Sequence, residues 1–323
     1  MLGSGSSIFT DADDYQAHLS LPMELLVVQP GHFRARLTWV GLPRIHLLHA
    51  QEALSRVAFV SLPPDQVFIT FPTDQGSRLV CDGVSLQWGE IMFHSPGERF
   101  HQRISAPGAW GVISLTLPTL MTYSRILHGW HLAIPSRGRI LRLPLADRRQ
   151  LLQVHGQAAR VAERDLSRLA HPEVARSLEQ DLIVALVTCL VSGEPRNIPA
   201  SSSRRAGMLV QFEEALAASP NAAPQVSEVC SVMGISERTL RASCLQVLGM
   251  SAVQYLWLRR LKQARRALQH AGSASEAGRD VITRFGFADF RQFAKAYRKA
   301  FGELPSGDAS EESPHARRRF LLF

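Results

Sequence analysis

Gln225-Val-Ser-Glu-Val-Cys-Ser-Val-Met-Gly-Ile-Ser-Glu-Arg-Thr-Leu-Arg-Ala-Ser-Cys244 is a pair of short amphipathic segments hinged at Gly234. Phe285-Gly-Phe-Ala-Asp-Phe-Arg-Gln-Phe-Ala-Lys-Ala-Tyr-Arg-Lys-Ala-Phe-Gly302 closes a second such pair, with its hinge at Gly286. In each, a glycine at the bend leads into a short helix that carries Arg or Lys on one face. One glycine between two amphipathic helices also describes an ordinary helical hairpin. Two of them, joined by one long basic helix, predict a pair of helix-turn-helix units.

Within the first unit Ser227 is placed to cap a helix, with Glu228, Val229, Val232 and Met233 behind it, and Ser236 caps the helix after the turn. Leu240, Cys244 and Val247 share the inward face of that second helix, while Arg238 and Arg241, three apart, project together from the other side. Arginine donates two hydrogen bonds to guanine O6 and N7, so both are base-reading candidates. In the second unit Phe293, Tyr297 and Phe301 make a core edge and leave Arg291, Gln292, Lys295 and Arg298 outward. Arg291 and Gln292 suit guanine and adenine edges; Lys295 and Arg298 suit phosphate. The connecting helix, from Ser251 to about Gln269, sorts Val253, Trp257, Leu261, Ala264 and Leu268 onto an apolar stripe. Arg259, Lys262 and Arg266 form its basic stripe and are phosphate candidates, with a tie between the helical subdomains or a plain solvated face as alternatives.

The chain has 323 residues, enough for two domains, with 46% hydrophobic and 20% charged residues. The net charge is +8 and is concentrated. Between Ser236 and Lys299 there are 13 Lys and Arg against 4 Asp and Glu, a surplus of nine, which leaves the remainder at −1. A basic module beside a near-neutral one points to a polyanion-binding domain attached to a domain with another task. The apolar run Leu182–Val191 is too short to span a bilayer, and the first residues lack the pattern of a secretion signal, so a cytoplasmic, nucleoid-associated protein without membrane contact is expected. Cys81, Cys189, Cys230 and Cys244 lack zinc spacing and are expected to be reduced core residues.

From residue 1 to about 130 short β-type runs alternate with Pro and Gly, among them Phe33–Val40, Ile45–Leu48, Val57–Val60, Val67–Phe71, Arg78–Cys81 and Ile91–Phe93. This texture predicts a sandwich or barrel, with a hairpin turn at Asp82-Gly83. Residues 145–192 switch to helical spacing, broken at His171-Pro172, and together with the strands make up an effector-sensing and dimerisation domain over 1–192. Residues 193–203, rich in Pro and Ser, are expected as a linker, residues 204–306 as the DNA-binding domain and 307–323 as a flexible tail.

The C-terminal hundred residues resemble the DNA-binding domain of the AraC/XylS family of bacterial transcription regulators. The resemblance rests on Gly234-Ile-Ser-Glu-Arg-Thr-Leu-Arg241, Leu248-Gly-Met-Ser-Ala-Val-Gln-Tyr-Leu256, Arg259-Arg-Leu-Lys-Gln-Ala-Arg-Arg-Ala-Leu268, and Phe285-Gly-Phe287 through Phe301-Gly-Glu-Leu-Pro305. It implies two units in successive major grooves on one face of the duplex, about 34 Å apart. Three positions depart from the family: Ala242 replaces a frequent Arg, Cys244 a usual aromatic and Leu245 a common basic residue. The stretch Ala271–Asp280 lacks the usual apolar helix start, and Gly278 within it weakens a helix by about 1 kcal/mol relative to Ala.

The resemblance also implies that the first domain is a cupin-like β-barrel, and Gly89–His101 is similar to the strand-turn-strand ending of a cupin motif. A metal-binding cupin needs an HxH pair, whereas His46 and His49 stand three apart and His94 and His101 seven apart, so no metal, cofactor or catalytic residue is expected. Trp39, Phe68, Phe71, Trp88 and Phe93 are candidates for an effector pocket or for plain core, and Arg34, Arg36 and Arg78 for an anionic effector. The fold class expected is therefore α+β in two domains, a cupin-like β-barrel with following helices and an all-α domain with two helix-turn-helix units. The function expected is a sequence-specific, effector-responsive transcription activator, not an enzyme, acting as a homodimer on double-stranded promoter DNA with RNA polymerase and a small-molecule effector of unknown identity. A ligand-independent DNA-binding co-regulator and a cupin-type enzyme fused to a DNA-binding domain are the alternatives.

Overall fold

Alternating apolar residues in the first half of the chain pair into two antiparallel sheets. The computed structural model describes residues 3–218, 224–271, 283–287 and 289–305. The larger sheet runs β1 (Gly5–Phe9), β3 (Ala35–Gly41), β4 (Ile45–Glu52), β11 (Gly108–Thr116), β6 (Gln66–Pro72), β9 (Glu90–Phe93), β12 (Arg139–Arg142) and β13 (Glu194–Pro195). The smaller runs β2 (Met23–Val27), β5 (Arg56–Ser61), β10 (Arg99–Ile104), β7 (Leu79–Cys81) and β8 (Val84–Ser85). Neither order returns to its first strand, so these are two open sheets where a closed cupin-like barrel was expected.

The period of two decides what each face of the larger sheet meets. Leu37, Leu48, Phe68 and Trp110 point into a core shared with Leu25, Val60 and Phe100 of the smaller sheet. Ile45, Leu47, Ile69 and Ile113 point the other way, onto the helices α2 (Leu117–His128), α3 (Leu145–Arg164) and α4 (Pro172–Ser192). His171 and Pro172 start α4, as the sequence predicts. Two helices lie inside the stretch read as strands: α1 (Ala12–His18), capped by Asp11, and α2, capped by Thr116. The seven-residue α1 buries only Tyr15 and shows no helical stripe to read. The expected linker is partly ordered into structure, because Glu194 and Pro195 pair with Arg142 and Leu141 and the helix α5 (Ala200–Ala217) has already begun by residue 200.

Asp82 and Gly83 form the two-residue turn between β7 and β8, both at positive φ (49° and 77°). The turn rests against the helical domain: a Cβ on Gly83 would lie 2.9 Å from the Gln246 carbonyl oxygen. Gly89–His101 is strand-turn-strand, but β9 belongs to the larger sheet and β10 to the smaller, so the segment crosses between them.

The C-terminal part is helical, with α6 (Val226–Met233), α7 (Glu237–Val247), α8 (Ala252–Ala271) and α9 (Phe290–Phe301). The cap of α6 is Gln225 rather than Ser227; its backbone N–H donates to Glu228 Oε at 2.9 Å, and Ser227 falls in the first turn. Ser236 caps α7 as expected, accepting from the Thr239 N–H. Val253 is 64% exposed rather than part of the inward stripe of α8, where Ala252, Tyr255 and Leu256 take the buried positions. The expectations for 272–282, Gly278 included, and for the tail 307–323 lie outside the described residues.

Candidate nucleic-acid interface

Two helices with matching caps present the sequence-predicted contact residues. Ser236 begins α7 and Asp289 begins α9, each with its side chain accepting a backbone N–H of the first turn. Counting from these caps, Leu240 and Phe293 occupy the same position and are buried, as are Cys244 and Tyr297 four residues later. The opposite faces are open. Arg238 and Arg241 on α7 are exposed, and so are Arg291, Gln292, Lys295 and Arg298 on α9. The hinges Gly234 and Gly286 adopt left-handed φ of 65° and 75°, where a side chain would be strained.

The basic stripe of α8 is placed differently from what the sequence led us to expect. Lys262 is only 4% exposed and donates to the Gln16 side-chain oxygen and the Leu25 carbonyl, with Asp13 Oδ1 at 3.1 Å. Arg266 donates to Asp13 Oδ1 at 3.0 Å and to Glu24 Oε2 at 3.2 Å. Arg265, which the sequence pattern did not single out, bridges Asp11, Asp13 and Glu303. Arg259 donates to Glu213 Oε2 at 2.6 Å. As placed, these cations are matched to carboxylates of α1, β2 and α5, so contact with phosphate requires an exchange of partners. Burial pushes the Lys262 ammonium below its usual range. Burial alone would raise the Asp11 carboxyl, but hydrogen bonds from Arg265 and the first-turn amides hold it below the ordinary value.

A second polar network joins the two parts of the chain. His101 of β10 meets Glu213 of α5 at 3.1 Å, and Tyr255 of α8 donates to the same carboxylate, all three buried. Burial would raise Glu213, yet His101 and Arg259 hold it below the usual carboxylate range. The sequence offered no signal for these pairs, whose members stand more than forty residues apart.

Beside this network a cleft of about 500 Å³ opens between the sheets and α5, lined by Asp82, Glu98 and Arg137 on one side and Ser203, Val210 and Glu214 on the other. Burial pushes the Asp82 carboxyl up to about 6. Trp39 and Phe68, with His46, line a smaller cavity of about 150 Å³, whereas Phe71 and Phe93 are core and Trp88 lies under the Arg148 guanidinium. His49 lies on the opposite face of β4 from His46, against His155 of α3. His94 is buried between Thr70 and Glu98. Arg34 and Arg36 border an open groove, and Arg78 is exposed. Among the described residues no helix is long and apolar enough to cross a membrane, no group of three or more His, Cys, Asp or Glu is placed to hold a metal ion, and the four cysteines are buried and unpaired.

Residues 229–308 match the family model of a helix-turn-helix domain. The probable thc operon regulatory protein of Rhodococcus erythropolis is 34% identical over 83 residues, which are 26% of this chain and 25% of that protein; the chain thus spans about a quarter of that relative's length. Among solved structures, the AraC-like transcriptional activator CuxR aligns over 81% of this chain and 95% of its own at 15% identity, with a TM-score of 0.44. ToxT from Vibrio cholerae O395 aligns over 88% and 95% at 8% identity, with a TM-score of 0.27.

Proposed function

We propose, because this chain carries an AraC-type helix-turn-helix DNA-binding domain at its C-terminal end, that it is a sequence-specific transcription activator of the bacterial cytoplasm whose hold on DNA responds to a small-molecule effector. The observation that carries the DNA assignment is the pair of capped helices with Arg238, Arg241, Arg291, Gln292, Lys295 and Arg298 exposed on their outward faces. Arginine and glutamine read base edges and the remaining cations fix the protein on phosphate. Arg259, Lys262 and Arg266 join them only after leaving their carboxylates. The chain acts as a homodimer that meets RNA polymerase at the promoter.

Responsiveness rests on how the first domain, a cupin-like sandwich in this reading, grips α8. Asp11, Asp13 and Glu24 hold the connecting helix from one side, and the cleft between the sheets and α5 is walled by the helix whose Glu213 holds Arg259 of the same connecting helix. An effector seated in that cleft acts if it binds the gripped and released arrangements with different affinity. The matched test is selection of duplexes from a random pool by the full chain, followed by footprinting of the selected site with and without pooled metabolites. Metabolite-dependent occupancy supports a sensor, while unchanged occupancy and transcription assign a ligand-independent co-regulator.

A further inference from the structure

The two candidate reading helices carry different chemistry at equivalent positions. Counted from the caps Ser236 and Asp289, the second residue is Arg238 in α7 and Arg291 in α9. The sixth is Ala242 against Lys295 and the ninth Leu245 against Arg298. At 100° per residue these three positions lie within one face, opposite the buried Leu240, Cys244 and Val247 of α7. That outward face of α9 is wholly cationic at the three positions. On α7 it is apolar beyond Arg238 and Arg241: Ala242 is exposed, and Leu245 is 51% exposed although Cys244 beside it is fully buried.

A leucine and an alanine have no group that hydrogen-bonds a phosphate or a polar base edge. The apolar feature a major groove offers is the C5 methyl of thymine. We infer that α7 reads thymine methyl groups through Leu245 and Ala242, next to the guanine contacts of Arg238 and Arg241, and that α9 supplies most of the phosphate attraction. The inference rests on the DNA-binding assignment above and names the base type that the first unit recognises. Alanine at the sixth position leaves the helix room to approach the groove floor, which a lysine there would fill. The leucine then shields the methyl from water.

The test uses duplexes selected from a random pool by the full chain, resynthesised with deoxyuridine in place of thymidine one position at a time, so that only the methyl is removed. Burial of one methyl corresponds to about a three- to five-fold change in affinity. The expected result is a loss of that size at one or two positions of one half-site, recovered when the same position carries 5-methylcytosine opposite guanine, and absent in Leu245→Ala. Leu245→Lys should lose the uracil sensitivity, bind all sequences more tightly and show a steeper salt dependence. Specific binding that ignores every thymine-to-uracil exchange, or a sensitivity that persists undiminished in both variants, overturns the inference and leaves the DNA assignment standing. A pool from which the full chain enriches no sequence overturns both.

Discussion

The first helix-turn-helix unit shares its hydrophobic core with the sheet domain, whereas the second has a core of its own. Leu26 of β2 and Val57 of β5 are buried in one cluster with Leu209, Val229, Leu240 and Val247. Leu261, Phe285, Phe293 and Tyr297 form a separate cluster without any residue of the sheets. Beside the second unit, the connecting helix is held to the sheet domain mainly by charge, through Arg265 and Arg266 on Asp11, Asp13 and Glu24, with Ala300 and Phe301 of α9 bordering Leu25 and Val27 of β2. Apolar packing is short-ranged and has no alternative partner in solvent; ion pairs as buried as Arg265 with Asp13 are screened little by salt, but a cation can exchange one anionic partner for another. The difference teaches that separating the first unit from the sheets would expose apolar core, whereas the ionic contacts near the second could, on the proposed function, be replaced by phosphates.

The sharpest way to break this comparison is Leu26→Ala, which removes a side chain buried in the shared core. It should cost about 2–5 kcal/mol and lower amide protection in both the sheets and α7 while sparing α9. Loss confined to the sheets, measured by hydrogen exchange, would show that the core is not shared in energy. Acidification tests the sheet domain from its other face, where His155 of α3 packs on His49 and Phe71. Burial, helped by the neighbouring His49, pushes the His155 imidazole down to about 3. The unfolded chain therefore takes up a proton below about pH 6.5 that the folded chain refuses. The contribution of His155 is complete above that pH and is lost as pH falls toward 3, at up to about 1.4 kcal/mol per pH unit. Urea titrations across this window should show the sheets and first unit failing together, and His155→Gln should flatten the slope.

Smaller effects separate the reading faces. Arg291→Ala should weaken specific binding about tenfold or more and relax preference at one base position; equal loss on random DNA would remove its base-reading role. Asp13→Asn should raise DNA affinity a few-fold at low salt, because Lys262 and Arg266 lose a competing carboxylate, and unchanged affinity would show that these cations never reach phosphate. Lys295→Ala should lower the salt slope by about one with little change in specificity, whereas Ala242→Gly on α7 should leave that slope alone.

Much of the C-terminal part was legible because its determinants are local. Ser236 three residues before Thr239, Gly234 at a left-handed turn and Leu240, Cys244 and Val247 on one face are all set within a dozen residues. Asp82-Gly83 was legible for the same reason. Helix α1 was not, since one buried side chain leaves no periodic trace, and Gln225 displaced Ser227 as a cap because Glu228 reaches back to its N–H. The basic stripe of α8 was read correctly as a stripe but not as to what it faces. Lys262 and Gln16 stand 246 residues apart, and no spacing rule connects them.

The sequence by itself determined that there are two glycine-hinged units, the first with its outward helix capped by Ser236, with exposed cations and a basic helix between them, because capping, turn conformation and amphipathic period act over one or two helical turns. Only the tertiary structure decided which cations are open and which are matched, that the strands make two open sheets, and that one unit shares the sheet domain's core while the connecting helix beside the other is tied mainly by charge. Those outcomes depend on which distant surfaces meet, and the desolvation of Lys262 beside Asp13 and Glu24 is fixed only when they do.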